Sequence, residues 1–84
     1  MDKRIGVVGI VVENLQSADS INSIFHEYSQ IIVGRMGIPY REKGISVISL
    51  IVDGGMDEIS AMTGKLGKIN AVSVKSAMTK KTTV

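Results

Sequence analysis

The sequence has no cysteine and no tryptophan, and only one proline, one histidine and one phenylalanine among its 84 residues. Without thiols there is no disulfide to staple the fold, and no thiolate to ligate a metal or attack a substrate. One imidazole, His26, with Glu27 beside it does not complete a metal site within one chain. Apolar runs are short. The first, after Met1-Asp2-Lys3-Arg4, covers about eight residues, less than half of what a bilayer needs. Glu13-Asn14-Leu15-Gln16 follows it where a secretory signal would place small residues for cleavage. Net charge is only +2, with the basic excess at Lys75, Lys80 and Lys81, too little for a nucleic-acid footprint. These absences predict a cytoplasmic protein without membrane or direct DNA contacts.

What is present is apolar. Hydrophobic residues make up 44% of the chain and mean hydropathy is +0.23. The length fits one domain over 1–84. A 9.0 kDa chain should fold to about 4,900 Å² of surface, against about 13,000 Å² when extended. Such a small interior cannot hide this many apolar residues, and the excess predicts burial against another chain.

Four β-rich segments and two amphipathic ones alternate. Residues 4–13, 31–38, 45–53 and 71–78 read as strands, rich in Val and Ile. After the first, Asp19 or Ser20 is placed to cap a helix carrying Ile21, Ile24, Phe25 and Tyr28 at i, i+3, i+4 and i+7. Residues 39–44, Pro-Tyr-Arg-Glu-Lys-Gly, form a turn. Gly54-Gly55 should end the third strand. A second helix over about 56–66 puts Ile59, Met62, Leu66 and Ile69 inward, with Asp57 and Glu58 in its first turn and Lys65 and Lys68 near its end, as the helix dipole favours. Gly67 should stop it, and a tight contact with the sheet would offset the cost of Gly64 in its interior. Residues 79–84 read as a frayed polar tail.

This order, β-α-β-β-α-β, is the split βαβ pattern. It predicts an α+β, ferredoxin-like two-layer sandwich: a four-stranded antiparallel or mixed sheet with two helices on one face. The first and third strands should lie side by side in the middle, and a parallel pairing there would account for their being apolar on both faces. The second strand, with Arg35, and the fourth, with Ser73, Lys75 and Ser76, suit the edges. Two helices cover one face only. The bulkier set, Val8, Ile10, Val12, Ile48, Leu50 and Val52, should meet them. That leaves Ile5, Val7, Val11, Val47 and Ile51 open, so a homodimer or tetramer is expected.

Chemistry is sparse. No nucleophile is paired with a base and no carboxylate pair suits acid–base work, so an enzyme is not expected; nor is any cofactor. Gly6 and Gly9 lie inside a strand without the helix that a nucleotide fingerprint requires, and are better read as points of close backbone approach. Arg35, Tyr40 and Arg41 frame the turn after the second strand. They would form either an anion-binding lip, since Arg offers a planar fork to carboxylate or phosphate, or a charged edge paired to a partner chain. His26 is either a surface residue or, in an oligomer, a weak metal candidate.

Several segments carry a resemblance: Ile5–Glu13, His26-Glu27-Tyr28, Ile32–Glu42, Ile48–Gly54 and Thr63–Gly67. Over nearly the whole chain they resemble a family of short bacterial proteins labelled regulators of the iron-only hydrogenase system. Leu66–Val74 is similar to the helix-to-last-strand corner of ACT-type domains. The resemblance implies an ACT-like fold similar to the C-terminal domain of the nickel-responsive repressor, assembly into dimers or tetramers, and a regulatory role. That repressor's site uses several histidines and a cysteine, which this chain lacks. The repressor also carries a ribbon-helix-helix segment for DNA, and here only three residues precede the first strand. In ACT-like domains, small effectors sit at a subunit interface beside the loop after the first strand. Carried over, Asn14, Gln16 and Ser17 could bind a polar ligand at the helix N-terminus. The expected function is thus a sensor domain that binds a small effector between subunits. The alternatives are an oligomeric adaptor for another protein and a metal-responsive regulator.

Overall fold

The computed structural model describes residues 3–80. Strands β1 (Lys3–Val12), β2 (Ile32–Tyr40), β3 (Ile45–Gly55) and β4 (Val72–Met78) form one sheet in the order β2-β3-β1-β4. Helices α1 (Ala18–Glu27) and α2 (Met56–Gly67) cover one face.

The central pair is antiparallel, not parallel: Lys3 lies opposite Gly55 and Val12 opposite Ser46. The connections require this. α1 carries the chain over from β1 to β2, so those two strands run the same way. β3 then doubles back through the turn after Tyr40 and slots between them, against both. All three pairings are antiparallel. The apolar character of both faces therefore needs a cause other than parallel pairing, because antiparallel sheets ordinarily leave one face polar.

Alternation decides the faces. Val8, Ile10, Val12, Leu50 and Val52 point to the helices and are at most 2% exposed. Ile21 and Phe25 of α1, Ile31, and Ile59, Met62 and Leu66 of α2 close over them. Ile48, Ile69, Val72 and Val74 pack at the margin. Burying a side chain of this size contributes about 1.5–3 kcal/mol, so these eleven residues are the main source of stability.

Local details depart from expectation. α1 starts at Ala18, one residue before Asp19, because a single 3-10 turn (Leu15–Ser17) runs straight into it. The Ala18 N–H is already bonded to the Leu15 carbonyl, so neither Asp19 nor Ser20 is needed as a cap. Pro39 and Tyr40 stay in β2. The turn is a 3-10 turn (Arg41–Lys43) closed by Gly44 at φ +69°, a left-handed conformation in which Gly has no steric penalty. Gly54 and Gly55 extend β3 instead of ending it, paired with Arg4 and Lys3. A Cβ on Gly54 would sit 2.6 Å from Ile31 Cγ2, so this glycine makes room for a core residue. Gly64 is exposed and touches nothing. The tight contact expected there is not made, because that side of α2 faces water.

Of the polar tail expected at 79–84, only Thr79 and Lys80 are described. Thr79 is tied to β1: its N–H donates to the Ile5 carbonyl at 2.9 Å and its Oγ1 accepts from the Ile5 N–H at 3.3 Å. No helix of the described residues is long and apolar enough to cross a membrane.

Candidate functional site

The residues singled out from sequence divide into three groups. Asn14, Gln16 and Ser17 lie together at the mouth of α1, where they hold the local fold. The Asn14 Oδ1 accepts the Gln16 N–H at 3.0 Å, and the Ser17 hydroxyl donates to the Asn70 carbonyl at 3.5 Å. The first bond closes the β1–α1 loop on itself, and the second fastens it to the α2–β4 corner. There Ala71 takes a left-handed φ of 62°, and its carbonyl accepts the Glu13 N–H at 2.8 Å.

Arg35, Tyr40 and Arg41 are not brought together. Arg35 stands opposite Leu50 in register and Tyr40 opposite Ile45. Leu50 belongs to the helix side and Ile45 to the open side, so the two side chains leave opposite faces of the sheet. Arg41 opens the 3-10 turn beyond the strand. His26 is exposed on the last turn of α1. Among the described residues no group of three or more His, Asp or Glu side chains is placed to hold a metal.

Arg35 is where polar chemistry and concave surface coincide. Its guanidinium lies 4.9 Å above the Phe25 ring, and its Nη2 donates to Asn22 Oδ1 at 3.4 Å. α2 packs closely over the sheet, but α1 stands off the edge strand β2. The gap forms two clefts that meet at Arg35. One, of about 320 Å³, runs between Val12, Leu15, Ile21, Pro39 and Ile48. The other, of about 520 Å³, lies beside His26, Ser29, Ile32 and Val33. Asn22 and Phe25 were not foreseen as Arg35's supports. They belong to α1, and only the crossover that lays α1 beside β2 brings them to it.

Electrostatics elsewhere are slight. Lys65 of α2 pairs with Glu27 of α1 at 2.6 Å and lies 5.1 Å over the Tyr28 ring. Its pKa is raised, chiefly by the Glu27 hydrogen bond and next by the one with Tyr28. The pair joins the two helices, and Glu27 lines neither of the Arg35 clefts.

The second concave or flat feature is the open face of the sheet. Its cross-strand rows are Ala77-Val7-Ile51-Gly34, Lys75-Gly9-Ser49-Met36 and Ser73-Val11-Val47-Ile38. Ile5 and Tyr40 extend it at opposite ends. Seven of the nine large exposed hydrophobic residues described lie here: Ile5, Val7, Met36, Ile38, Tyr40, Val47 and Ile51. At strand and residue spacings of about 4.8 Å and 3.3 Å, the face measures roughly 450 Å² in projection.

Known structures share this architecture. The ACT domain of a GTP pyrophosphokinase from Chlorobium tepidum superimposes with a TM-score of 0.69 at 17% identity, over 96% of this chain and 91% of that one. CPII from Thiomonas intermedia K12, a nitrogen regulatory PII-like protein bound to ADP, AMP and bicarbonate, gives 0.52 at 9% identity, over 94% and 99%. At such identities the likeness is one of fold, and the fold is the ACT type of ferredoxin-like sandwich. No curated protein matches the chain. The uncharacterized protein TM1266 from Thermotoga maritima is much nearer: TM-score 0.88 at 35% identity, over 93% of this chain and 99% of that one. Residues 4–76 match the TM1266-like family, described as "Iron-only hydrogenase system regulator, putative". The chain belongs to the TM1266-like family of iron-only hydrogenase system regulators.

Proposed function

We propose that this chain is a non-catalytic, cytoplasmic regulatory domain of the iron-only hydrogenase system that works as a homo-oligomer and responds to a small effector. The observation that carries the reading is the open face of the sheet. An antiparallel sheet with one solvated side should be polar there, yet this side presents five large exposed apolar residues in three adjacent rows, with Ile5 and Tyr40 at their two ends. Within a face of roughly 450 Å² in projection, these residues form an exposed apolar patch of the kind that marks an interaction surface. A second copy is the proposed cover. The patch is flat and apolar with small residues, Gly9 and Ser49, at its centre, so it can meet its own image across a two-fold axis.

The regulatory part rests on family membership. Two neighbours of the same fold are a domain of a GTP pyrophosphokinase and a PII-like protein holding adenine nucleotides and bicarbonate. The effector part rests on them by analogy of fold, and on the clefts around Arg35.

Light scattering on the eluting peak of a sizing column tests the assembly. A mass of two or four chains at micromolar concentration is expected. A mass of one chain, 9.0 kDa, would sink the oligomer. An effector that binds the folded state at a hundredfold excess over its Kd should add about 2.7 kcal/mol to stability. A pure adaptor would show no such gain from any small molecule.

A further inference from the structure

Arg35 is a cation whose described partners are neutral. Phe25 lies beneath its guanidinium and Asn22 accepts one of its hydrogen bonds. Arg offers five N–H donors in a rigid fork. Stacking and a single bond fix the plane of that fork without cancelling its charge. Glu27 of α1 is bonded to Lys65 at 2.6 Å and lines neither cleft. On one side of Arg35 stand Val12, Leu15, Pro39 and Ile48, with Ser46 on the same wall. On the other side His26 and Ser29 add polar groups. The two clefts, about 320 and 520 Å³, are of the size that small-molecule sites take. A guanidinium at the junction of two clefts whose walls are mostly apolar fits a ligand that has an anionic end and an apolar body.

We infer that the Arg35 cleft binds a small organic oxyanion, a carboxylate or a phosphate monoester on an apolar body. The anion sits on the Arg35 fork and the body lies against Leu15, Pro39 and Ile48. This deepens the effector reading above and rests on it for regulatory meaning. The binding itself needs only one chain.

The test is an NMR titration of the ¹⁵N-labelled protein with phenyl phosphate, benzoate and neutral benzyl alcohol. At least one anion should produce saturable shifts at Leu15, Asn22, Arg35 and Ile48, at least tenfold tighter than the alcohol. Preference for phenyl phosphate would identify a phosphate monoester as the class; preference for benzoate, a carboxylate. Arg35→Met keeps the apolar stem and should weaken the anion about tenfold or more. Arg35→Lys should recover only part, since an ammonium cannot reproduce the fork. Equal binding by Arg35→Met and wild type, shifts clustered elsewhere, or no saturation by either anion would overturn the site. Molar mass recorded on the same samples separates this from the assembly. A monomer that binds the anions refutes the oligomer and keeps the site; an oligomer that ignores them does the reverse.

Discussion

On the helix side of β1 and β3 stand Val8, Ile10, Val12, Leu50 and Val52, none more than 2% exposed; on the other side of the same strands stand Ile5, Val7, Val47 and Ile51, each 40–43% exposed. The residue types hardly differ. What differs is the cover: two helices on one side and, among the described residues, nothing on the other. In an antiparallel sheet this cannot be put down to a buried parallel core. The apolar pattern along these strands therefore marks two faces, of which the helices cover one.

The comparison breaks most sharply at Leu50 and its neighbours in β3. Leu50→Ala should cost about 2–5 kcal/mol, because the cavity opens beneath closed helices. Denaturant titration should find that loss at every protein concentration. Val47→Asp with Ile51→Asp acts on the opposite face of the same strand. It should leave a folded chain by circular dichroism but reduce the assembly to single-chain mass. Wild type should unfold at a midpoint that rises with protein concentration, and the double variant at one that does not. An unchanged mass in the double variant would show that the open face is not the interface.

Two glycines of β1 restate the contrast on a smaller scale. Gly6 belongs to the helix side, where a Cβ would overlap the Ala77 carbonyl oxygen and crowd the Met78 sulfur. Gly6→Ala should cost about 1–3 kcal/mol, as overpacking does. Gly9 belongs to the open side, and its nearest neighbour is the Lys75 carbonyl oxygen at 3.8 Å. Gly9→Ala, placed in the Val47→Asp, Ile51→Asp background so that the proposed interface does not contribute, should leave the stability of the chain within about 0.5 kcal/mol of that background. Thermal melts of the two variants check both values. Equal losses would mean that the faces are equally confined within one chain.

Element order, the inward sets of β1 and β3 and the inner stripes of both helices were legible in the sequence, because each follows from a period of 2 or 3.6. The parallel pairing predicted for β1 and β3 was wrong, for strand polarity says nothing of direction; only the path of the chain through α1 and the turn after Tyr40 sets it. The boundary at Gly54-Gly55 was misread because glycine signals a turn locally, whereas here Gly54 makes space for Ile31, which is distant in sequence. Arg35 was legible as a candidate, but Phe25 and Asn22 were not, since only the tertiary packing of α1 on β2 unites them. Tyr40 and Arg41 were grouped with Arg35 by nearness in sequence, and the pleat sends Tyr40 to the other face.

The helix layer has its own outer side, and Gly64 probes it. It lies in the interior of α2, exposed, with open space where a Cβ would go. Gly64→Ala should stabilise the chain by about 1 kcal/mol through helix propensity alone, read as a higher denaturant midpoint with an unchanged slope. A loss instead of a gain would mean that this side of α2 is not open to water in solution.

The smallest effect concerns the Lys65–Glu27 pair that ties α1 to α2. Both side chains are about half exposed, so the pair is screened and its contribution is slight. Its direction is nonetheless fixed. The hydrogen bonds to Glu27 and Tyr28 raise the Lys65 pKa above the 10.5 of a free lysine. A cation held more tightly in the folded state stabilises that state fully below the unfolded pKa, and the gain is lost as pH climbs through the raised value. The stability difference between wild type and Lys65→Met should therefore be constant from about pH 7 to about pH 10 and shrink beyond that. Denaturant titrations at about pH 8 and about pH 11.5 measure it. A difference unchanged at the higher pH would mean that the lysine stem, packed along the Tyr28 ring, joins the helices without its charge.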